Sequence, residues 1–335
     1  MPEFDSAGVC LHYALAGPDD GRPIVLVHGY CSDYELNWVG SRWQETLAAS
    51  GRLVLGLDCR GHGRSEKPHD PAAYARRTMA DDVVRLLDHL DVAGADYLGY
   101  SMGARIGLEV VIAHAGRLGR AVLGGLGRWG GDDRADLIAR RMRGDESVTD
   151  ETAELFYRFA AARPVNDLEA LACCILGPQP RLSPEQLAAI RVPVAIMTGD
   201  QDPIARGASE LAGQIPGARY TAIAGRNHMN AVPARQFKEA ALAFLDGGGE
   251  GQACLALSDN ADGPARRDQI RRLSLRSFQG VDHVLEGRLD LPPHQRKGDD
   301  GHDGHQQQED RVLDQALATL PSRHGPCREV PCQHV

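Results

Sequence analysis

A serine between glycines, an aspartate and a histidine occur in this chain in an order that nucleophilic catalysis uses. The serine is Ser101, at the centre of Gly99-Tyr100-Ser101-Met102-Gly103. A neutral hydroxyl is a poor nucleophile, so it needs an imidazole to accept its proton and a carboxylate to orient that imidazole. Asp202, in Thr198-Gly199-Asp200-Gln201-Asp202, and His228, in Gly225-Arg226-Asn227-His228, supply both types in the chain order serine, acid, histidine. Asp200 is the rival acid in the same loop; Asp202 stands further clear of the preceding residues and is better able to reach the next loop. An oxyanion formed at the attacked carbon needs two aimed backbone N–H groups. Met102, just after the serine, offers one, and Tyr30, after the Gly29 bend in His28-Gly29-Tyr30, offers the other. His28 itself reads as a structural hydrogen-bonding residue, because a second base has no task in this scheme.

Taken alone, Gly-x-Ser-x-Gly is weak, since a chain with 38 glycines meets it readily by chance. Its setting gives it weight. Apolar runs at Ile24 to Val27, Leu53 to Leu57, Tyr97 to Gly99, Ala121 to Leu123, Val194 to Met197 and Tyr220 to Ile223 read as strands. Helical periodicity separates them at Trp43 to Ser50, Tyr74 to Leu90 and from the serine through Val111, and a last helix covers Arg235 to Leu245. This alternation predicts an α/β fold, a mostly parallel sheet flanked by helices on both faces. Chemistry then belongs at strand ends. Ser101 lies between a strand and a helix, where a sharp turn can lift its oxygen clear of the sheet. Val9 to Ala16 lacks a following helix and reads as part of an antiparallel edge hairpin.

Between residues 127 and 190 the pattern holds helices only, at about Asp133 to Arg143, Thr149 to Ala162 and Asn166 to Leu176, which predicts a small helical cap inserted in the 1–246 domain. Trp129, Leu155, Phe156, Phe159, Leu168, Leu171, Ile175 and Leu176 give it apolar faces; most should bind cap to body and the remainder line a pocket. Every Trp and Tyr, and every Phe but Phe278, precedes Gly247-Gly248-Gly249. Residues 247–335 are polar, without apolar periodicity, and read as a disordered extension. Within it, Asp299, His302, Asp303 and His305 and the basic run Arg266 to Arg276 read as solvated, so no metal site is expected.

A net charge of −9 argues against nucleic acid as a partner, which a basic patch would serve. No apolar run approaches the length of a membrane span, and the first residues carry neither a basic nor an apolar signal region. No membrane partner is expected, and the expected location is the cytoplasm. Eight scattered cysteines, without zinc-site or disulfide-scaffold spacing, read as free thiols. Nothing sets an oligomeric state.

His28-Gly29-Tyr30, Asp58-Cys59-Arg60-Gly61-His62-Gly63-Arg64-Ser65, the Ser101 pentapeptide, Gly199-Asp200-Gln201-Asp202 and Asn227-His228 together resemble the α/β-hydrolase superfamily from about residue 5 to 246. The resemblance implies that fold, supports Asp202 over Asp200 as the triad acid, and assigns the Gly61-His62-Gly63 turn mainly to structure. A carboxylesterase-like or lipase-like member is the nearest analogue. The expected activity is therefore hydrolysis of a small or medium apolar carboxylic ester through an acyl-enzyme on Ser101, without metal or organic cofactor. The same triad also serves C–C bond hydrolases, thioesterases, lactonases and cofactor-free perhydrolases, and a hydrolase scaffold can be kept as a ligand-binding protein. Haloalkane dehalogenases and epoxide hydrolases of the superfamily use an aspartate at the nucleophile position, and Ser101 sets them aside.

Overall fold

The computed structural model describes residues 2–128 and 134–247. Trp129 and all of the C-terminal extension after Gly247, with its Asp/His cluster and basic run, lie outside the described residues.

Among the described residues, eight strands form one sheet in the order β1-β2-β4-β3-β5-β6-β7-β8. They are β1 (Glu3–Asp5), β2 (Cys10–Ala16), β3 (Arg22–Val27), β4 (Arg52–Leu57), β5 (Ala95–Tyr100), β6 (Leu118–Gly124), β7 (Val194–Gly199) and β8 (Arg219–Ile223). The β1–β2 and β2–β4 pairings are antiparallel, and all the others are parallel. The predicted edge hairpin is therefore present.

The parallel strands are apolar at consecutive positions because both sheet faces are covered. Val25 and Val27 of β3 face one core with Leu53 and Leu55, while Ile24 and Leu26 face the other with Val54 and Leu98. The first face is covered by α2 (Arg76–His89) and α3 (Met102–Ala113), the second by α1 (Trp43–Ala49) and α9 (Arg235–Leu245). Trp43 of α1 stacks edge-on against Phe237 of α9 at 5.2 Å, and its indole N–H donates to Val232 O at 2.8 Å.

The cap region contributes α4 (Arg134–Met142), α5 (Glu151–Ala161), α6 (Leu168–Leu176) and α7 (Pro184–Ala188). The first three match the expected helices; α7 is an addition, started by a capping box between Ser183 and Gln186. Of the apolar cap residues, Leu171 is buried and Leu155 is 39% exposed. A short helix after β7, α8 (Ala208–Gly213), was also not expected. The helix expected from Tyr74 begins later. Tyr74 closes a 3-10 turn over Pro71–Tyr74, Ala75 is extended, and α2 starts at Arg76. Asp70 accepts the Ala72 N–H and Tyr74 Oη donates to Pro68 O, and these local bonds compete with helix continuation. No helix of the described residues is long and apolar enough to cross a membrane.

Candidate active site

Ser101 caps α3 directly after β5, with φ 51° and ψ −108°, a conformation that a non-glycine residue adopts only when its surroundings hold it there. Its N–H donates to Gly124 O at 2.8 Å, tying the turn to β6. The flanking glycines are required by close approach. A Cβ on Gly99 would stand 2.4 Å from Gly103 O, and one on Gly103 would stand 2.0 Å from Val27 O.

The loops after β7 and β8 bring the other two residues to this turn. His228 Nε2 lies 2.9 Å from Ser101 Oγ, and His228 Nδ1 lies 2.7 Å from Asp202 Oδ2. Asp202 Oδ1 accepts the N–H groups of Ile204 (2.8 Å) and Ala205 (3.0 Å), which fixes the carboxylate plane. Asp202 and His228 are buried, whereas Asp200 is exposed and its N–H is used by Ile223 O. Tyr100 Oη donates to His228 O at 2.7 Å from beneath the loop. Asn227 Oδ1 accepts the N–H groups of Met229 and Asn230, closing the turn that carries His228. With a carboxylate on Nδ1, the imidazole proton sits there and the Nε2 lone pair faces the serine hydroxyl. Such a set can remove the proton of Ser101 as its oxygen attacks an electrophile.

The Tyr30 peptide is aimed by two side chains. His28 Nε2 accepts the Cys59 N–H at 3.0 Å, so its proton is on Nδ1, which donates to Gly29 O at 2.8 Å. The C=O and N–H of a trans peptide point in opposite directions, so holding Gly29 O against His28 turns the Tyr30 N–H away from that ring. Asn37 Oδ1 accepts the Gly29 N–H at 3.0 Å. Among the described residues no backbone acceptor is seen for the N–H groups of Tyr30 and Met102, the latter in the first turn of α3. Sequence reasoning missed Asn37, which sits in a short π-helical turn, Glu35–Val39, with no periodic signal of its own.

His62 lies below this loop, with its ring 5.1 Å from His28 and 5.9 Å from Tyr30. It is fully buried, and burial, with the neighbouring His28, holds its pKa down to about 3 against an ordinary 6.5. Between those values the unfolded chain takes up a proton that the folded chain refuses, so this group withdraws stability as pH falls from about 6.5 toward 3. The thermal midpoint is expected to drop between about pH 7.5 and about pH 4.5, and His62→Gln should narrow that difference. An unchanged difference would show that other groups carry it.

Among the described residues there is no group of three or more His, Cys, Asp or Glu side chains able to hold a metal ion, and the five cysteines described are free.

Residues 22–126 match a family model described as the alpha/beta hydrolase fold. A haloalkane dehalogenase of Mycolicibacterium paratuberculosis is 32% identical over 119 residues, 36% of this chain and 38% of that protein. The 3-oxoadipate enol-lactonase 2 of Acinetobacter baylyi is 25% identical over 215 residues, 58% of this chain and 77% of that protein. Among solved structures, the enol-lactonase of Burkholderia xenovorans superposes with a TM-score of 0.63 at 27% identity, over 73% of this chain and 100% of that one. The curated relatives above 30% identity are matched over 26% to 41% of their own length. Sheet order, the strand-to-helix turn at Ser101 and these matches agree, and the chain has the α/β-hydrolase fold.

Proposed function

We propose that this protein hydrolyses small or medium apolar carboxylic esters through an acyl-enzyme on Ser101. The observation that carries the reading is the continuous line of short contacts from Ser101 Oγ through His228 to Asp202. Ser101 Oγ attacks the carbonyl carbon while His228 Nε2 takes its proton, and Asp202 stabilises the imidazolium. The carbonyl oxygen becomes an oxyanion facing the Tyr30 and Met102 N–H groups. The carbon–oxygen bond to the alcohol breaks, and His228 returns the proton to the leaving alkoxide. Water then attacks the acyl-serine with His228 again as base, releasing the acid and free Ser101. No metal or organic cofactor enters these steps.

The apolar preference rests on the cap. Phe156 packs edge-on against Tyr30 at 5.4 Å, and Cys174 Sγ touches Met102 Sδ at 3.9 Å, so both oxyanion residues are roofed by apolar or weakly polar groups. A serine at position 101 favours acyl transfer over the dehalogenation named for one relative, since superfamily dehalogenases use an aspartate there. A second reading, hydrolysis of a cyclic ester, is favoured by the two enol-lactonases among these matches, covered over 77% and 100% of their own length.

The test is turnover of a chain-length series of chromogenic esters and of simple lactones by the wild-type and Ser101→Ala proteins, beside labelling with a fluorophosphonate. The expected result is one labelled serine and a loss of turnover of about a millionfold in the variant. Retained turnover in Ser101→Ala sinks the proposal, and labelling without turnover of any ester points to a ligand-binding role.

A further inference from the structure

The loop that carries Tyr30 is fastened to the cap at three of its residues, 30, 31 and 33. Tyr30 Oη donates to Leu171 O of α6 at 2.8 Å. Asn166 Nδ2 donates to Cys31 O at 3.2 Å and also to Ala160 O at 3.1 Å. Arg163, in the turn after α5, donates through its terminal nitrogen to Asp33 Oδ2. Asp33 is almost fully buried, its side chain only 6% exposed, and its other oxygen accepts the Leu36 N–H at 2.8 Å. Cys31, in the middle, has φ 62°, the left-handed region that a residue with a Cβ enters only when held.

We propose that Arg163 is a positioning residue for the oxyanion pair: by neutralising Asp33 it seats the cap on residues 30–33 and so fixes where the Tyr30 N–H points. The proposal rests on the Ser101 acyl-enzyme reading. Asp33 without Arg163 is a buried carboxylate left with a single backbone donor, a costly arrangement that is relieved by moving toward water. Three residues upstream, the Tyr30 peptide shares that displacement, because the left-handed Cys31 has no stiffness of its own to resist it. Met102 is bound to the same body through its contact with Cys174, so a shifted cap disturbs both donors. Misplacement of a reacting group by about 1 Å can cost around a hundredfold in rate, and oxyanion donors act mainly in the transition state. The effect therefore belongs to kcat.

The experiment compares full-length wild type, Arg163→Met and Arg163→Lys in steady-state ester hydrolysis, with the Ki of a boronic acid that forms a tetrahedral adduct on Ser101. Arg163→Met is expected to lose about tenfold or more in kcat with KM nearly unchanged, and to bind the boronate correspondingly more weakly. Arg163→Lys, which keeps the charge, should recover most of both. An unchanged kcat, a change confined to KM, or a lysine variant no better than methionine overturns the proposal. Should Arg163→Met lack a cooperative thermal transition, Tyr30→Phe tests the same fastening by removing the bond to Leu171 O, and an unchanged kcat there overturns it. An inactive Ser101→Ala beside a fully active Arg163→Met removes this inference alone, whereas an active Ser101→Ala removes the proposed function with it.

Discussion

Asp202→Asn is expected to lower kcat for ester hydrolysis by about ten-thousandfold, whereas Asp200→Asn should stay close to wild type. An amide at position 202 can present its NH2 group to His228 Nδ1, which forces the imidazole proton onto Nε2. The lone pair that should take the serine proton is then gone. The carboxylate also stops stabilising the imidazolium formed during attack. Asp202 is buried, 2.7 Å from His228 Nδ1, with its second oxygen fixed by the Ile204 and Ala205 N–H groups. Asp200 is exposed at the end of β7. Kinetics of the two variants on one chromogenic ester check the assignment, and equal losses would contradict it. His228→Ala should fall with Asp202→Asn or below it, since the serine then has no base at all.

The largest expected loss of stability is at Arg60→Met. Arg60 and Asp82 are both buried, with Arg60 Nε 2.7 Å from Asp82 Oδ2 and a terminal nitrogen 2.6 Å from Oδ1. The bidentate pair joins the turn after β4 to α2. Ser6 Oγ donates to the same carboxylate at 2.6 Å, and Arg60 also reaches Ala73 O at 2.9 Å. Burial raises the Asp82 pKa despite Arg60, Ser6 and Arg85, so the carboxylate is poorly solvated even when paired. Removing the guanidinium leaves that carboxylate buried among groups too few to replace it. The expected cost is about 3–5 kcal/mol, read as the change in denaturant midpoint. Arg60→Met combined with Asp82→Leu should recover a substantial part, because a buried pair replaced as a whole costs far less than one that is broken. A loss under about 1 kcal/mol in the single variant would contradict this account.

The motif Asp58-Cys59-Arg60-Gly61-His62-Gly63-Arg64-Ser65 marked this region as structural, but not how it works. The sequence has no means of showing that Arg60 pairs with Asp82, 22 residues away on a helix whose first turns look merely polar. Asp82, an acidic residue of that helix, is buried. Asp58 is a similar case. Burial alone would raise its pKa, and hydrogen bonds from His12 and the Arg64 and Tyr34 N–H groups bring it down to about 2. Each partner comes from a different segment, so no local pattern announces the network.

The secondary structure was legible wherever burial imposed a period. The strands read as short apolar runs because parallel strands are buried on both faces, and α9 was legible over its full length, Arg235–Leu245. The elements that escaped are short: the 3-10 turn at Pro71–Tyr74, the π-helical turn at Glu35–Val39, the five-residue α7 and the six-residue α8. None is long enough for a hydrophobic period to declare itself. The signals available for α7 were the capping box of Ser183 and Gln186 and the proline at its first position, Pro184.

For the candidate site the division is similar. By itself the sequence determined the residue types and their order: a serine in a glycine-flanked strand-to-helix turn, an acidic loop, and a histidine after the next strand. Those features are local, set by the backbone room that Gly99 and Gly103 leave and by the alternation of strand and helix. Only the tertiary structure decided which acid meets His228, because that depends on how the loops after β7 and β8 converge over Ser101. It alone decided that Asn37 and His28 aim the Tyr30 peptide, and that Arg163 and Asn166 clasp the same loop from the cap. These contacts join residues up to 135 positions apart, and their geometry follows from packing the cap on the sheet rather than from any spacing along the chain.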